Sequence, residues 1–115
     1  MRKLFTAISI LFVVSLSAQP TSVSKDIASI ITRTWKDSFS LDGKPIKWTY
    51  DMGVVLKGIE GLWLYTGDAT YYNYIQKQMD VYVKDDGTIK TYKQEDFNLD
   101  NVNNGKLLLL LYRVT

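Results

Sequence analysis

The chain has 115 residues, enough for one small domain, and with 46% hydrophobic and 23% charged residues it has the composition of a globular protein rather than a disordered one. It contains no cysteine and no histidine, which excludes a disulfide framework, a lipoprotein attachment thiol, a His/Cys zinc site and a Ser-His triad within this segment. The formal charge of +2 sits at the start: removing Arg2 and Lys3 from the 14 basic residues leaves 12 against 12 acidic ones, so no nucleic-acid partner is expected.

Arg2 and Lys3 precede an apolar run from Leu4 to Val14, closed by Ser15-Leu16-Ser17-Ala18. This is the layout of a secretory signal peptide over residues 1–18. Cleavage is expected after Ala18; because Leu16 is not the ideal small residue three positions before the cut, cleavage after Ser17 stays open. The run falls short of the ~20 residues that a membrane span needs, with an uncleaved anchor as the rival reading. The mature part, residues 19–115, is expected to be soluble and exported, periplasmic or secreted, with no membrane partner after cleavage.

Thr21-Ser22-Val23-Ser24 offers N-caps, and Ile27, Ile30, Ile31 and Trp35 recur at helical spacing, which predicts a first helix over 23–37. Asp42-Gly43 and Pro45 then supply a turn and an extended approach into Trp48. From Tyr50, the residues Val54, Val55, Gly58, Ile59, Leu62, Trp63 and Tyr65 make a wide apolar stripe that ends at Thr66-Gly67-Asp68, where glycine suits a left-handed C-cap and Asp68 caps the next element. Gly53, Gly58 and Gly61 each cost about 1 kcal/mol of helix propensity against alanine, so they are expected to permit close approach of a neighbour or ligand.

Residues 69–83 form a third predicted helix rich in tyrosine, stopped by the turn Lys84-Asp85-Asp86-Gly87. Two carboxylates in such a turn fall short of the ligands of a calcium loop. Thr88 to Tyr92 alternates polar and apolar residues and reads as a short extended piece. In the last stretch, Asn98, Asp100, Asn101, Asn103 and Asn104 crowd amides and a carboxylate just before Lys106 and five leucines, Leu107 to Leu111, on a fourth helix from about Val102 to Tyr112. That helix is apolar all round and asks for neighbours on more than one side. The pattern is all-α, with helices of some 14 residues and loops of about 10 to 18, as in a helical hairpin array; the front part of a larger domain is expected.

Several collinear groups resemble the amino-terminal portion of the unsaturated glucuronyl and rhamnogalacturonyl hydrolases, glycoside hydrolase families 88 and 105, the second most closely. They are Trp48-Thr49-Tyr50 with Gly53-Val54-Val55-Leu56 and Gly58; Leu62-Trp63-Leu64-Tyr65-Thr66-Gly67-Asp68; Tyr72 and Tyr74; Asp86-Gly87-Thr88-Ile89; Asn98-Leu99-Asp100; and Asn104-Gly105-Lys106-Leu107-Leu108. The resemblance runs from about Ile30 to Thr115 and covers about the first third of a family domain. It implies an incomplete (α/α)6 toroid of the six-hairpin type. Its cleft would take a pectin-derived oligosaccharide with a 4,5-unsaturated uronic acid at the non-reducing end. It also implies hydration of the C4=C5 double bond, with one aspartate as general acid and base and a second assisting. Asp100 matches the assisting carboxylate; the main acid-base aspartate, with a histidine and an arginine, belongs to a later segment. No cofactor or metal is implied.

Each candidate has a structural alternative. Asp100 can serve a sugar cleft with its pKa tuned by partial burial, or cap the helix that follows. Trp48 and Tyr50 can line the uronate subsite, one by stacking and one through its phenol, or can be staple and core. Asn98 suits hydroxyl recognition as well as a cap. The rivals at the level of function are a non-catalytic glycan-binding or scaffold toroid and an epimerase-type toroid. The bare chain is expected to be inactive, and its oligomeric state is open.

Overall fold

A computed structural model describes residues 21–40 and 43–115. The expected signal peptide over 1–18 and Asp42 lie outside these residues. The described chain is helical: α1 (Thr21–Thr34), α2 (Tyr50–Thr66), α3 (Ala69–Asp80) and α4 (Gly105–Val114), with short 3-10 turns at Gln94–Asp96 and Leu99–Val102. None of the described helices is long and apolar enough to cross a membrane.

Helix α2 has the predicted bounds and packs chiefly on α3. Gly67 ends it in the left-handed conformation, φ 68°, and gives its N–H to the Trp63 carbonyl at 2.8 Å. Asp68 then starts α3, its Oδ1 accepting from the Thr70 N–H at 2.9 Å and the Thr70 hydroxyl at 2.7 Å. A glycine C-cap followed at once by an aspartate N-cap satisfies exposed groups of both helix ends within a very short joint. The long connections lie elsewhere, before α2 and after α3.

The core is formed by Trp48, Met52, Leu56 and Ile59 from the approach to α2 and α2 itself, Ile75, Met79 and Tyr82 from α3 and its exit, and Leu107 and Leu110 from α4. Glu60 is buried and paired with Lys57, one turn away on α2. Trp63 and Tyr72 meet with ring centroids 5.2 Å apart, joining α2 to α3. The segment after α1 is pinned by α3: the Tyr74 hydroxyl and Gln78 Nε2 both donate to the Trp35 carbonyl at 2.9 Å, and the Tyr82 hydroxyl reaches the Phe39 carbonyl at 3.3 Å.

Five expectations need adjustment. Helix α1 ends at Thr34, before Trp35, and buries Ala28 with half-buried Ile31, while Ile27 and Ile30 remain exposed. Helix α3 ends at Asp80, yet Tyr82 beyond it is fully buried. The extended piece shrinks to a single antiparallel bridge, Val83 to Ile89, around a turn in which Gly87 has φ 81° and the Asp86 carboxylate accepts from Thr88 N–H and Oγ1. Helix α4 starts at Gly105 because a separate 3-10 turn, Leu99–Val102, precedes it. Within the leucine run only Leu107 and Leu110 are buried, at i and i+3, whereas Leu109 is 63% exposed. The run is therefore one-sided in this structure.

Candidate active site

The polar stretch before α4 is held against the entry of α2 by hydrogen bonds that span 53 to 55 residues of chain. Trp48, next to the extended N-cap residue Thr49, gives its own N–H to the Thr91 hydroxyl at 2.7 Å. Thr91 holds a left-handed φ of 63°, costly for a β-branched residue, and this bond accompanies that conformation. The Trp48 indole packs edge-on to Tyr82, centroids 5.7 Å apart, and its Nε1 donates to the Asn101 carbonyl at 2.6 Å. Asn104 Nδ2 donates to the Thr49 carbonyl at 2.8 Å, and Asn103 Nδ2 to the Tyr50 carbonyl at 3.4 Å.

Asp100 sits in the Leu99–Val102 turn with its side chain in solvent. Among the described residues nothing donates to its carboxylate, which is exposed. The cap belongs to Asn98, whose Oδ1 accepts from the Asp100 N–H at 2.9 Å. So Asp100 is not a cap, and Asn98 is occupied in holding the turn that presents it.

A groove of about 450 Å³ opens here, lined by Tyr50, Leu99, Asp100, Val102, Asn103, Gly105, Lys106 and Leu109. Its apolar residues suit the faces of a sugar ring, and its carboxylate, phenol, amide and ammonium suit hydroxyl and carboxylate groups. Asp100 and Tyr50 are thus brought to one groove, Tyr50 being 49% exposed. Asn98 stands beside it but does not line it. Trp48 is 2% exposed and offers no free face to a ring, so its position is that of a core residue that holds the loop rather than one that stacks on a ligand.

Reasoning from sequence passed over Lys106, the cation of this groove, and the interior role of Asn104, which is fully buried. The Asn-Gly-Lys order before a leucine run was the visible signal for both. The expectation of close approach at a glycine is met at Gly53, where a Cβ would overlap the Asn104 Oδ1 and stand 2.5 Å from Asn103 Nδ2. It is not met at Gly58 or Gly61, around which no atom lies within 4 Å of such a Cβ.

The family described as Glycosyl Hydrolase Family 88 matches residues 23–115. Among solved structures, the chain is similar to a glycoside hydrolase from family 105 of C. acetobutylicum ATCC 824, with 35% sequence identity and a TM-score of 0.67. The match covers 85% of this chain and 25% of that one, so the chain spans about a quarter of the length of its structural relative. The four helices with no named strand among the described residues fit an all-α piece of an (α/α)6 toroid.

Proposed function

Because this chain belongs to glycoside hydrolase family 88, we propose that it forms part of a hydrolase that releases 4,5-unsaturated uronic acid from the non-reducing end of pectin-derived, rhamnogalacturonan-type oligosaccharides. The observation that carries the reading is the exposed Asp100 carboxylate at the groove shared with Tyr50 and Lys106. In this reading the reaction is hydration of the C4=C5 double bond: a proton adds at C4, water adds at C5, and the resulting hemiketal opens so that the glycosidic bond breaks. This differs from glycoside hydrolysis by two carboxylates flanking the scissile bond.

Asp100 is the assisting carboxylate, holding or sharing a proton with a neighbouring acid as water is activated. The Tyr50 phenol orients the uronate, and the Lys106 ammonium balances its carboxylate. Trp48 and Asn98 support the site from behind. The principal acid-base aspartate has no counterpart among the matched motifs, and the activity proposed is that of the complete gene product. The rhamnogalacturonan branch is favoured by the 35% identity to a family 105 enzyme.

The test is incubation of the complete gene product with an unsaturated rhamnogalacturonan disaccharide, following the ultraviolet absorbance of the conjugated double bond. Loss of absorbance with release of the sugar is expected. Intact absorbance with measurable saccharide binding would instead support a non-catalytic glycan-binding toroid, and intact absorbance without binding would remove both readings.

A further inference from the structure

We infer that Trp48, Gly53 and Asn104 are positioning residues for Asp100, forming a dock that fixes the acid-bearing turn onto the first turn of α2. The inference rests on the assignment of Asp100 made above.

The Leu99–Val102 turn has no buried residue of its own; Leu99 and Val102 face solvent. Its own backbone hydrogen bonds are long, 3.2 Å from the Asn101 N–H to the Asn98 carbonyl and 3.3 Å from the Asn103 N–H to the Asp100 carbonyl, as the poorer geometry of a 3-10 turn gives. What holds it is therefore at its edges. One residue after Asp100, the Asn101 carbonyl receives the Trp48 indole N–H at 2.6 Å, and Trp48 is itself fixed by the Thr91 hydroxyl and by Tyr82. At the far edge, Asn103 and Asn104 reach the Tyr50 and Thr49 carbonyls. These two carbonyls belong to the residues that open α2.

Gly53 explains how the two amides come so close. A glycine inside a helix costs about 1 kcal/mol relative to alanine, and at this position a Cβ would occupy the space of Asn104 Oδ1 and crowd Asn103 Nδ2. The missing side chain admits the dock. It does so for the turn carrying the carboxylate, not for a neighbouring helix. A misplacement of about 1 Å in a catalytic group can cost on the order of a hundredfold in rate. A dock of this kind thus has a kinetic consequence apart from stability.

Two variants test it: Trp48→Phe, which removes the indole donor but keeps a ring against Tyr82, and Gly53→Ala, which inserts a methyl beneath the amides. In 1H–15N spectra of the complete gene product, the expected shifts concentrate on residues 98–104, with Tyr82 moved as well in Trp48→Phe, and leave the rest of the α3 core unmoved. In the complete gene product acting on the unsaturated disaccharide, kcat is expected to fall about tenfold or more with KM within about twofold, the signature of an interaction needed in the transition state. Unmoved resonances at 98–104 overturn the dock. So does unchanged kcat in both variants when Asp100→Asn is inactive. Trp48→Phe decides the matter where Gly53→Ala does not fold. Normal turnover by Asp100→Asn would instead overturn the assignment of Asp100, while the spectra would still show whether the turn is docked.

Discussion

The Tyr74 hydroxyl donates to the Trp35 carbonyl at 2.9 Å, across 39 residues of sequence, and so fastens the exit of α1 to the middle of α3. Burial pushes the Tyr74 phenol up from 10.0 to about 12, and burial raises that of Tyr82 as well, partly offset by a hydrogen bond from the Lys47 backbone. Both shifts raise the folded-state value above the unfolded one, so the folded state holds these protons more tightly. Their contribution is complete below pH 10 and is lost as pH rises toward about 12. Denaturant unfolding followed from pH 9 upward should show midpoints falling over that window. Tyr74→Phe should flatten part of the fall, Tyr82 supplying the rest.

At neutral pH the same Tyr74→Phe change should cost little. The Trp35 carbonyl keeps its second donor, Gln78 Nε2 at 2.9 Å, so no buried acceptor is orphaned. The loss is then that of one hydrogen bond, about 0.5–1.5 kcal/mol. Gln78→Leu together with Tyr74→Phe should cost more than the two single changes combined, measured by urea unfolding.

Gly67→Ala should destabilise by about 1–2 kcal/mol, because alanine must adopt the left-handed φ of 68° while meeting no atom within 4 Å. The cost is purely conformational, so Gly67→Asn, which tolerates that region better, should recover part of it. Asp68→Ala should lower the unfolding midpoint too. The hydrogen bonds from Thr70 depress the Asp68 carboxyl, so its contribution holds above about pH 3.8 and fades as pH falls below that value.

The leucine run separates two outcomes of one substitution. Leu107→Ala removes a fully buried side chain and should cost about 2–5 kcal/mol. Leu109→Ala changes a residue that is 63% exposed and should stay within about 0.5 kcal/mol. Unfolding midpoints of the two proteins compare them directly.

For Asp100→Asn, an exposed side chain with no donor among the described residues, the unfolding midpoint should not move. Turnover of the unsaturated disaccharide by the complete gene product should drop by about a hundredfold or more if its proton is used. Full activity with an unchanged fold would remove Asp100 from the reaction.

What the amino-acid order determined by itself lies within a few residues of each signal. The bounds of α2, the Gly67 and Asp68 caps, the Lys84 to Gly87 turn and the collinear motifs of the hydrolase family depend on local φ preferences, local side-chain acceptors and spacing. The tertiary structure decided what depends on distant partners. Trp48 resembles a stacking platform in sequence, but Asn101, 53 residues away, and Tyr82 give it a place in the core. Asn104 resembles a turn residue until Thr49, 55 residues away, takes its amide. Leu109 resembles its neighbours until the packing of α4 selects Leu107 and Leu110. In each case an amide, an indole or a leucine has several equally good local roles, and only the surface that arrives from elsewhere in the chain selects one.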